Sequence, residues 1–164
     1  MKAIQANKSN KTNQSGFTLI ELIVVITILG ILSAFALPRF AALQTDARMA
    51  KMNGALGSIK AAAVLAHSIQ LTQQLAAGAS VAMEGSVITM ANGYPQSTNV
   101  SMGHAAGFAD AAGVSFSDFT IASTATVLTV TPDASHAACA VTYTVPGVGG
   151  APTYSNAGVT SINC

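Results

Sequence analysis

One carboxylate stands inside the longest apolar stretch of the chain. Residues 17–37 carry a single charged side chain, Glu21. An acidic group in a membrane span costs about 2.5–3.5 kcal/mol even on lenient scales, so we expect Glu21 to serve a partner. Cleavage after Gly16 would place a new α-amine on Phe17, four residues before Glu21 and on the same helical face. A lone subunit could pair the two groups, whereas a bundle of identical helices could pair each carboxylate with a neighbour's amine and so set their stagger.

The same segment has a simpler interpretation as a secretory signal. Three lysines precede the apolar run, and Ala34-Phe35-Ala36 has the small-x-small pattern of a signal-peptidase site. Cleavage there would release a secreted binding domain. The apolar run is longer than the usual signal core of about 7–15 residues, and it contains an acid, which counts against this alternative. The leader lysines favour a cytoplasmic N-terminus.

The sequence predicts that residues 17–78 are helical, and this helical stretch has to position the Phe17 amine and the Glu21 carboxylate. At a rise of about 1.5 Å per residue, the run 17–37 spans about 31 Å, enough to cross a bilayer core. Pro38 is predicted to interrupt the helix, and Gly78 to end it. Between them the helix becomes amphipathic, with apolar side chains at three- and four-residue steps: Phe40, Leu43, Met52, Leu56, Ile59, Ala63 and Ala66. No monomer can bury the first half, which must lie in lipid or among copies of itself.

Beyond Gly78 the composition shifts to Gly, Ser, Thr and Val, which is typical of strands and turns. Strands are predicted near residues 87–90, 119–121, 126–131 and 139–145, with a Gly/Pro-rich loop over 146–158. Alternation places Leu128 and Val130 on one face, and Val141, Tyr143 and Val145 likewise. The predicted fold class is therefore α+β, with a long N-terminal helix whose second half packs against an antiparallel sheet.

The sequence around the single carboxylate resembles the class III signal of type IV prepilins: a Lys-bearing leader followed by Gly16-Phe17-Thr18-Leu19-Ile20-Glu21. The resemblance implies that a prepilin peptidase cuts after Gly16, that Phe17 becomes the methylated N-terminus and that Glu21 serves assembly. It also implies that the helix between Gly30 and Pro38 loses regular hydrogen bonding in the filament. The expected parts are a leader (1–16), a filament-core helix (17–37), an amphipathic helix (38–78) and a globular domain (79–164).

Several short sequence motifs resemble those of the mannose-sensitive haemagglutinin class of type IV pilins. They are Arg39-Phe40, residues 44–48 and the turn Gly93-Tyr94-Pro95. This resemblance is specific over about residues 14–50 and weaker beyond. It implies a homo-oligomeric helical filament, an assembly platform with its ATPase, and a precursor in the inner membrane. The product would be an extracellular pilus (fimbrium) of a Gram-negative bacterium, used for adhesion, motility or surface attachment. A minor pilin or a type II secretion pseudopilin is the alternative.

Cys139 and Cys164 are the whole thiol inventory. In a protein exported past an oxidising periplasm, a disulfide is the expected state. It would pin the C-terminal residue and stabilise the fold by about 3 kcal/mol in the chain-entropy model. A reactive or metal-binding pair would need His or Cys partners nearby, and the sequence offers none.

Composition argues against catalysis and most ligands. His67, His104 and His136 are isolated, and no catalytic constellation or phosphate-binding loop is visible. Residues 146–164 lack acids, which argues against a calcium cage there. We therefore predict no enzyme, no metal and no cofactor. Charged residues make up only 8% of the chain, so much of its surface would suit contact with copies of itself. Basic residues beyond the leader cluster within 39–60, which does not favour a nucleic-acid partner, and no surface receptor is indicated.

Overall fold

A computed structural model describes residues 16–83, 85–97, 108–115 and 117–164, with only the backbone of Phe108 and Asp110. The chain divides into two compact units, Met1–Phe40 and Ala41–Cys164. Helix α1 begins in the first unit and ends in the second. The elements are α1 (Leu19–Thr72), β1 (Val81–Met83), β2 (Ser86–Ile88), β3 (Met90–Ala91), β4 (Tyr94–Pro95), α2 (Phe108–Ala111), β5 (Thr120–Ser123), β6 (Val127–Thr131), a 3-10 helix (Ala134–His136), β7 (Val141–Thr144) and β8 (Thr153–Ser155).

Helix α1 runs without a break through Pro38, so the predicted interruption at this residue is wrong for the single chain. Proline lacks an N–H group, so it leaves the Ala34 carbonyl without its usual helical donor. The long helical stretches on both sides keep the chain in register across that one missing bond. Gly30 also lies inside the helix.

The end of α1 lies at Thr72, six residues before the predicted stop at Gly78. Gln74 adopts a left-handed conformation with φ of 54°. The Leu75 N–H donates to the Gln70 carbonyl at 3.0 Å, and the Gln74 N–H donates to the Leu71 carbonyl at 3.2 Å. These bonds form a Schellman motif, which terminates the helix with glutamine where glycine is more usual.

Four strands form an antiparallel meander in the order β5-β6-β7-β8. Leu128 faces Tyr143, and Val130 faces Val141, across the β6–β7 pair. These four side chains are buried, as the alternation predicted, in one core with apolar residues of α1 that include Met52, Leu56, Ile59, Ala63 and Ala66. The long helix and antiparallel sheet confirm the α+β fold class and are consistent with the pilin fold.

Strand β8 lies inside the segment that was predicted to be a loop, and that prediction is wrong for Thr153–Ser155. Pairing with β7, with Tyr154 opposite Tyr143, supplies the order that this short Gly/Pro-flanked segment lacks in its own sequence.

In the described part of the chain, the hairpins β1–β2 and β3–β4 precede this sheet, so the predicted strand 87–90 is split between them. The β3–β4 turn consists of Asn92 and Gly93, with φ of 53° and 90°. Positive φ at both positions is typical of a type I′ turn, which Asn-Gly favours.

Candidate functional site

The start of α1 is a capping box built from Thr18 and Glu21. Oε2 of Glu21 accepts hydrogen bonds from the Thr18 backbone N–H at 3.0 Å and from the Thr18 hydroxyl at 2.9 Å. In return, Oγ1 of Thr18 accepts from the Glu21 backbone N–H at 3.3 Å. The reciprocal pattern satisfies two donors that a helix start otherwise leaves open.

This local role for Glu21 was missed in the sequence, although Thr-x-x-Glu is the usual signature of a capping box. The carboxylate therefore has a use even in a single helix, which corrects the expectation that only a partner could explain it. Both capping contacts engage Oε2. Within the described part of the chain, Oε1 takes no hydrogen bond, and one oxygen remains open to a further donor.

Gly16 and Phe17 lie just before the helix, in exposed and non-helical chain. The Phe17 side chain is 89% exposed. A peptide bond outside regular structure can adopt the extended form that proteases bind, which fits the predicted cleavage position. The leader before Gly16, with its three lysines, lies outside the described residues.

Residues 19–37, the apolar half of α1, present their side chains outward. No large apolar side chain in this range is less than 46% exposed. In the described part of the chain, α1 is the one helix that is long and apolar enough to cross a membrane. Gly30 lies within this range and Pro38 directly follows it, and both are inside helix α1.

Cys139 and Cys164 form the predicted disulfide, with their Cα atoms 4.9 Å apart. Both cysteines are buried. Gly158, inside the closed loop, lies so close to Ala138 that an added Cβ would stand 2.5 Å from the Ala138 carbonyl oxygen. The bridge therefore lies in a tightly packed part of the unit Ala41–Cys164.

A charged cluster beside the bridge was not predicted, because its members are far apart in sequence. Arg48 Nη1 donates to the Cys164 carbonyl oxygen at 2.8 Å, and Arg48 Nε lies 3.8 Å from Asp133 Oδ2. Nδ1 of His136 donates to Asp133 Oδ1 at 2.8 Å. This hydrogen bond from His136 is the main cause that lowers the pKa of the Asp133 carboxyl.

The two described histidines, His67 and His136, have separate partners. His67 stacks on Tyr94 with ring centroids 4.2 Å apart, and its Nδ1 donates to the Gly93 carbonyl at 2.6 Å. His136 belongs to the charged cluster, and His104 lies outside the described residues. Among the described residues, no three His, Cys, Asp or Glu side chains are grouped as metal ligands.

Residues 11–37 match the family described as the prokaryotic N-terminal methylation motif. No curated protein and no solved structure matches the chain. The matched residues include the capping box and the apolar half of α1. The motif does not distinguish the mannose-sensitive haemagglutinin class from other pilins, so that finer resemblance has no support from the comparisons. It marks a structural, pilin-type substrate of prepilin peptidase rather than an enzyme, in a membrane-anchored precursor. This motif at the head of one long apolar helix, followed by an antiparallel sheet, supports a type IV prepilin-like protein, and such a motif is typical of pilins and pseudopilins.

Proposed function

We propose that the chain is a structural subunit of a type IV pilus. In this proposal the leader 1–16 is removed after Gly16, Phe17 is methylated, and the mature subunits polymerise into a helical filament used for adhesion, motility or surface attachment. The observation that carries the proposal is the exposed apolar half of α1, which lies within the residues that match the methylation motif.

Hydrophobic energetics support a polymer. Burying one large aliphatic or aromatic side chain is worth about 1.5–3 kcal/mol, and this surface runs along the whole of residues 19–37. A subunit that leaves the bilayer must therefore transfer this surface to an equally apolar environment. A bundle of identical helices provides one, because every copy brings the same surface.

Small residues in the second unit leave part of α1 open to a neighbour. Gly54 and Gly57 lie in mid-helix, where glycine costs about 1 kcal/mol relative to alanine. A Cβ added at either position would meet nothing within 4 Å in the chain itself. Close approach by a neighbouring helix would give both glycines a purpose, as small residues do between helices elsewhere.

Glu21 connects processing to assembly in this proposal. In the precursor its Oε2 holds the capping box with Thr18. Cleavage adds an amine at Phe17, and the open Oε1 can accept from the amine of a neighbouring subunit. Pairing lowers the cost of placing a carboxylate among apolar helices, and it fixes their axial register.

Residues 30–38 are proposed to unwind when the subunit enters the filament. Gly30 and Pro38 support this, since glycine and proline cost about 1 and 3 kcal/mol in a helix interior. They bracket the stretch of α1 that is easiest to extend. The remaining parts of the proposal are an inner-membrane precursor in a Gram-negative bacterium, an assembly platform and its ATPase.

Two matched variants test the role of Glu21. Glu21→Gln keeps the capping box, because glutamine also serves at that position, but removes the charge that would pair with an amine. Thr18→Val removes the capping hydroxyl and keeps the charge. We expect both precursors to be cleaved. Sheared surface fibres should become scarce with Glu21→Gln and should persist with Thr18→Val.

Mass spectrometry of the sheared material reads the N-terminus, its methylation and the abundance of the subunit together. Abundant fibres of Glu21→Gln would contradict the charge pairing. A mature chain that begins at Leu37 would support the secreted domain instead. A correctly processed and methylated subunit found only in trace amounts would favour a minor pilin or pseudopilin.

A further inference from the structure

We propose that Arg48 is a positioning residue for the Cys139–Cys164 disulfide. It contacts two segments of the chain, which we call the arms: one leads to Cys139 and the other carries Cys164. Through these contacts Arg48 holds the two arms together when the bridge is open. The contacts that carry this proposal all lie within the unit Ala41–Cys164, and they do not depend on whether the chain polymerises.

The first arm leads to Cys139. Asp133 Oδ1 accepts hydrogen bonds from the backbone N–H groups of Ser135 and His136, at 2.9 and 3.0 Å, and so fixes the 3-10 helix Ala134–His136. The Cys139 N–H then donates to the His136 carbonyl at 2.9 Å. A contact at Asp133 is thus transmitted through one short turn to Cys139.

The second arm carries Cys164. Its carbonyl oxygen accepts from Arg48 Nη1 at 2.8 Å, and its N–H donates to the Thr160 carbonyl at 3.0 Å. Asn163 Nδ2 donates to the Gly158 carbonyl at 3.1 Å, and Gly158 itself packs on Ala138. One guanidinium on α1 therefore contacts both arms, and neither contact uses a sulfur atom.

These contacts favour closure of the bridge by thiol–disulfide exchange. One cysteine thiolate attacks an external small-molecule disulfide, forms a mixed disulfide with it and releases one reagent thiolate. The second cysteine thiolate then attacks the mixed disulfide, forms the Cys139–Cys164 bond and releases the second reagent thiolate. The two cysteine sulfurs are oxidised by two electrons, the reagent disulfide is reduced, and the two protons pass to solvent. Holding the arms together raises the effective concentration of the second thiol in the second step.

Redox equilibration of the full chain in detergent micelles measures this effect. The protein is equilibrated with mixtures of reduced and oxidised glutathione, trapped with an alkylating agent, and scored for open and closed bridges. Arg48→Met should lower the effective concentration of the two thiols about tenfold, because charge-assisted contacts to both arms are lost. For Arg48→Lys, the effective concentration should lie between those of the wild type and Arg48→Met. An ammonium group can hold one arm but lacks the forked geometry to hold both.

Two controls separate positioning from general destabilisation. Arg39→Met removes an exposed arginine of the same helix and should leave the equilibrium unchanged. Ile88→Val loosens the core at the β1–β2 hairpin, outside both cysteine-bearing arms, and should change the equilibrium less than an Arg48 variant of equal stability. The proposal would be overturned if the effective concentration in Arg48→Met stayed within about twofold of the wild type. It would also be overturned if that concentration fell only as much as in the stability-matched core variant. If Arg48→Met does not fold, Arg48→Lys decides, and a wild-type value would again overturn it.

Discussion

Glu21 shows how one residue can have a local role beside a proposed intermolecular one. In the single chain it caps its own helix through Thr18.

The basic side chains of α1 in the second unit also make contacts inside the subunit. Lys51 Nζ lies 4.3 Å from the centroid of the Phe119 ring, and Lys60 Nζ lies 5.4 Å from that of Tyr154. Such cation–π contacts are worth about 0.5–1 kcal/mol at exposed sites, so these lysines help to fasten the helix to the sheet.

Asp133 should make the stability of the globular unit sensitive to acid. Contacts with His136 lower the folded-state pKa of this carboxyl below its ordinary value of 3.8. The stability that it contributes is therefore present above about pH 4 and is lost as the pH falls through the lower, folded-state pKa. The charged groups that face it are Arg48 from α1 and His136 from the 3-10 helix. Asp133→Asn, which can still cap that helix, should lose less stability between pH 5 and pH 2 than the wild type does.

Thermal unfolding at a series of pH values measures the difference. Asp46→Asn, at an exposed position of α1, serves as the matched control and should follow the wild-type curve. Parallel curves for wild type and Asp133→Asn down to pH 2 would show that the Asp133 contacts do not stabilise the fold.

At the scale of elements, periodicity in the sequence predicted the apolar and amphipathic parts of α1 and most of the central sheet. It failed at the limits of elements, where individual hydrogen bonds outside the periodic pattern decide. Gly78 is the better helix terminator by composition, yet the helix ends with Gln74 in the left-handed region. Gln70, which is buried, donates from Nε2 to the Ala76 carbonyl at 2.7 Å and fastens the chain just beyond the helix end.

Replacing the glutamine at this helix end by glycine should stabilise the protein. Gln74→Gly removes the steric cost of a left-handed side chain, about 1 kcal/mol, although glycine also makes the unfolded chain more flexible. We expect a net gain of about 0.5 kcal/mol in the free energy of unfolding, measured in urea. The neighbouring Gln73 is the same residue type without a positive φ, so Gln73→Gly should destabilise. Equal effects of the two changes would contradict the Schellman assignment.

For the whole molecule, the disulfide closes the last part of the chain onto the sheet. Cys139 and Cys164 are 25 residues apart in sequence, and the loop between them contributes β8 to the meander. The bridge, Gly158 and the Arg48 cluster hold this segment together by covalent, packing and polar contacts respectively. The loop is thus part of the folded core as well as a surface feature.

Loss of the bridge should cost about 3 kcal/mol of unfolding free energy by the chain-entropy model. Urea unfolding of the double variant Cys139→Ser/Cys164→Ser tests this, with the near-ultraviolet circular dichroism of the tyrosines as the signal. Limited proteolysis should cut the variant first within residues 146–163. A loss below about 1 kcal/mol, with unchanged proteolysis, would mean that packing and polar contacts alone hold the segment.

The sequence by itself determined the apolar helix, the methylation motif, the alternating strands and the number of thiols, because each depends on spacing along a local stretch of chain. The capping signature is local too, but only the structure revealed it. Only the tertiary structure decided that α1 passes through Pro38 and stops at Thr72, that β8 pairs with β7, and that Arg48 reaches Asp133 and Cys164. The helix limits reflect a tolerated proline and a local Schellman motif, whereas β8 and Arg48 depend on contacts between residues up to 116 positions apart. Local propensity carries no information on such contacts, since it is set by the backbone and near neighbours of each residue.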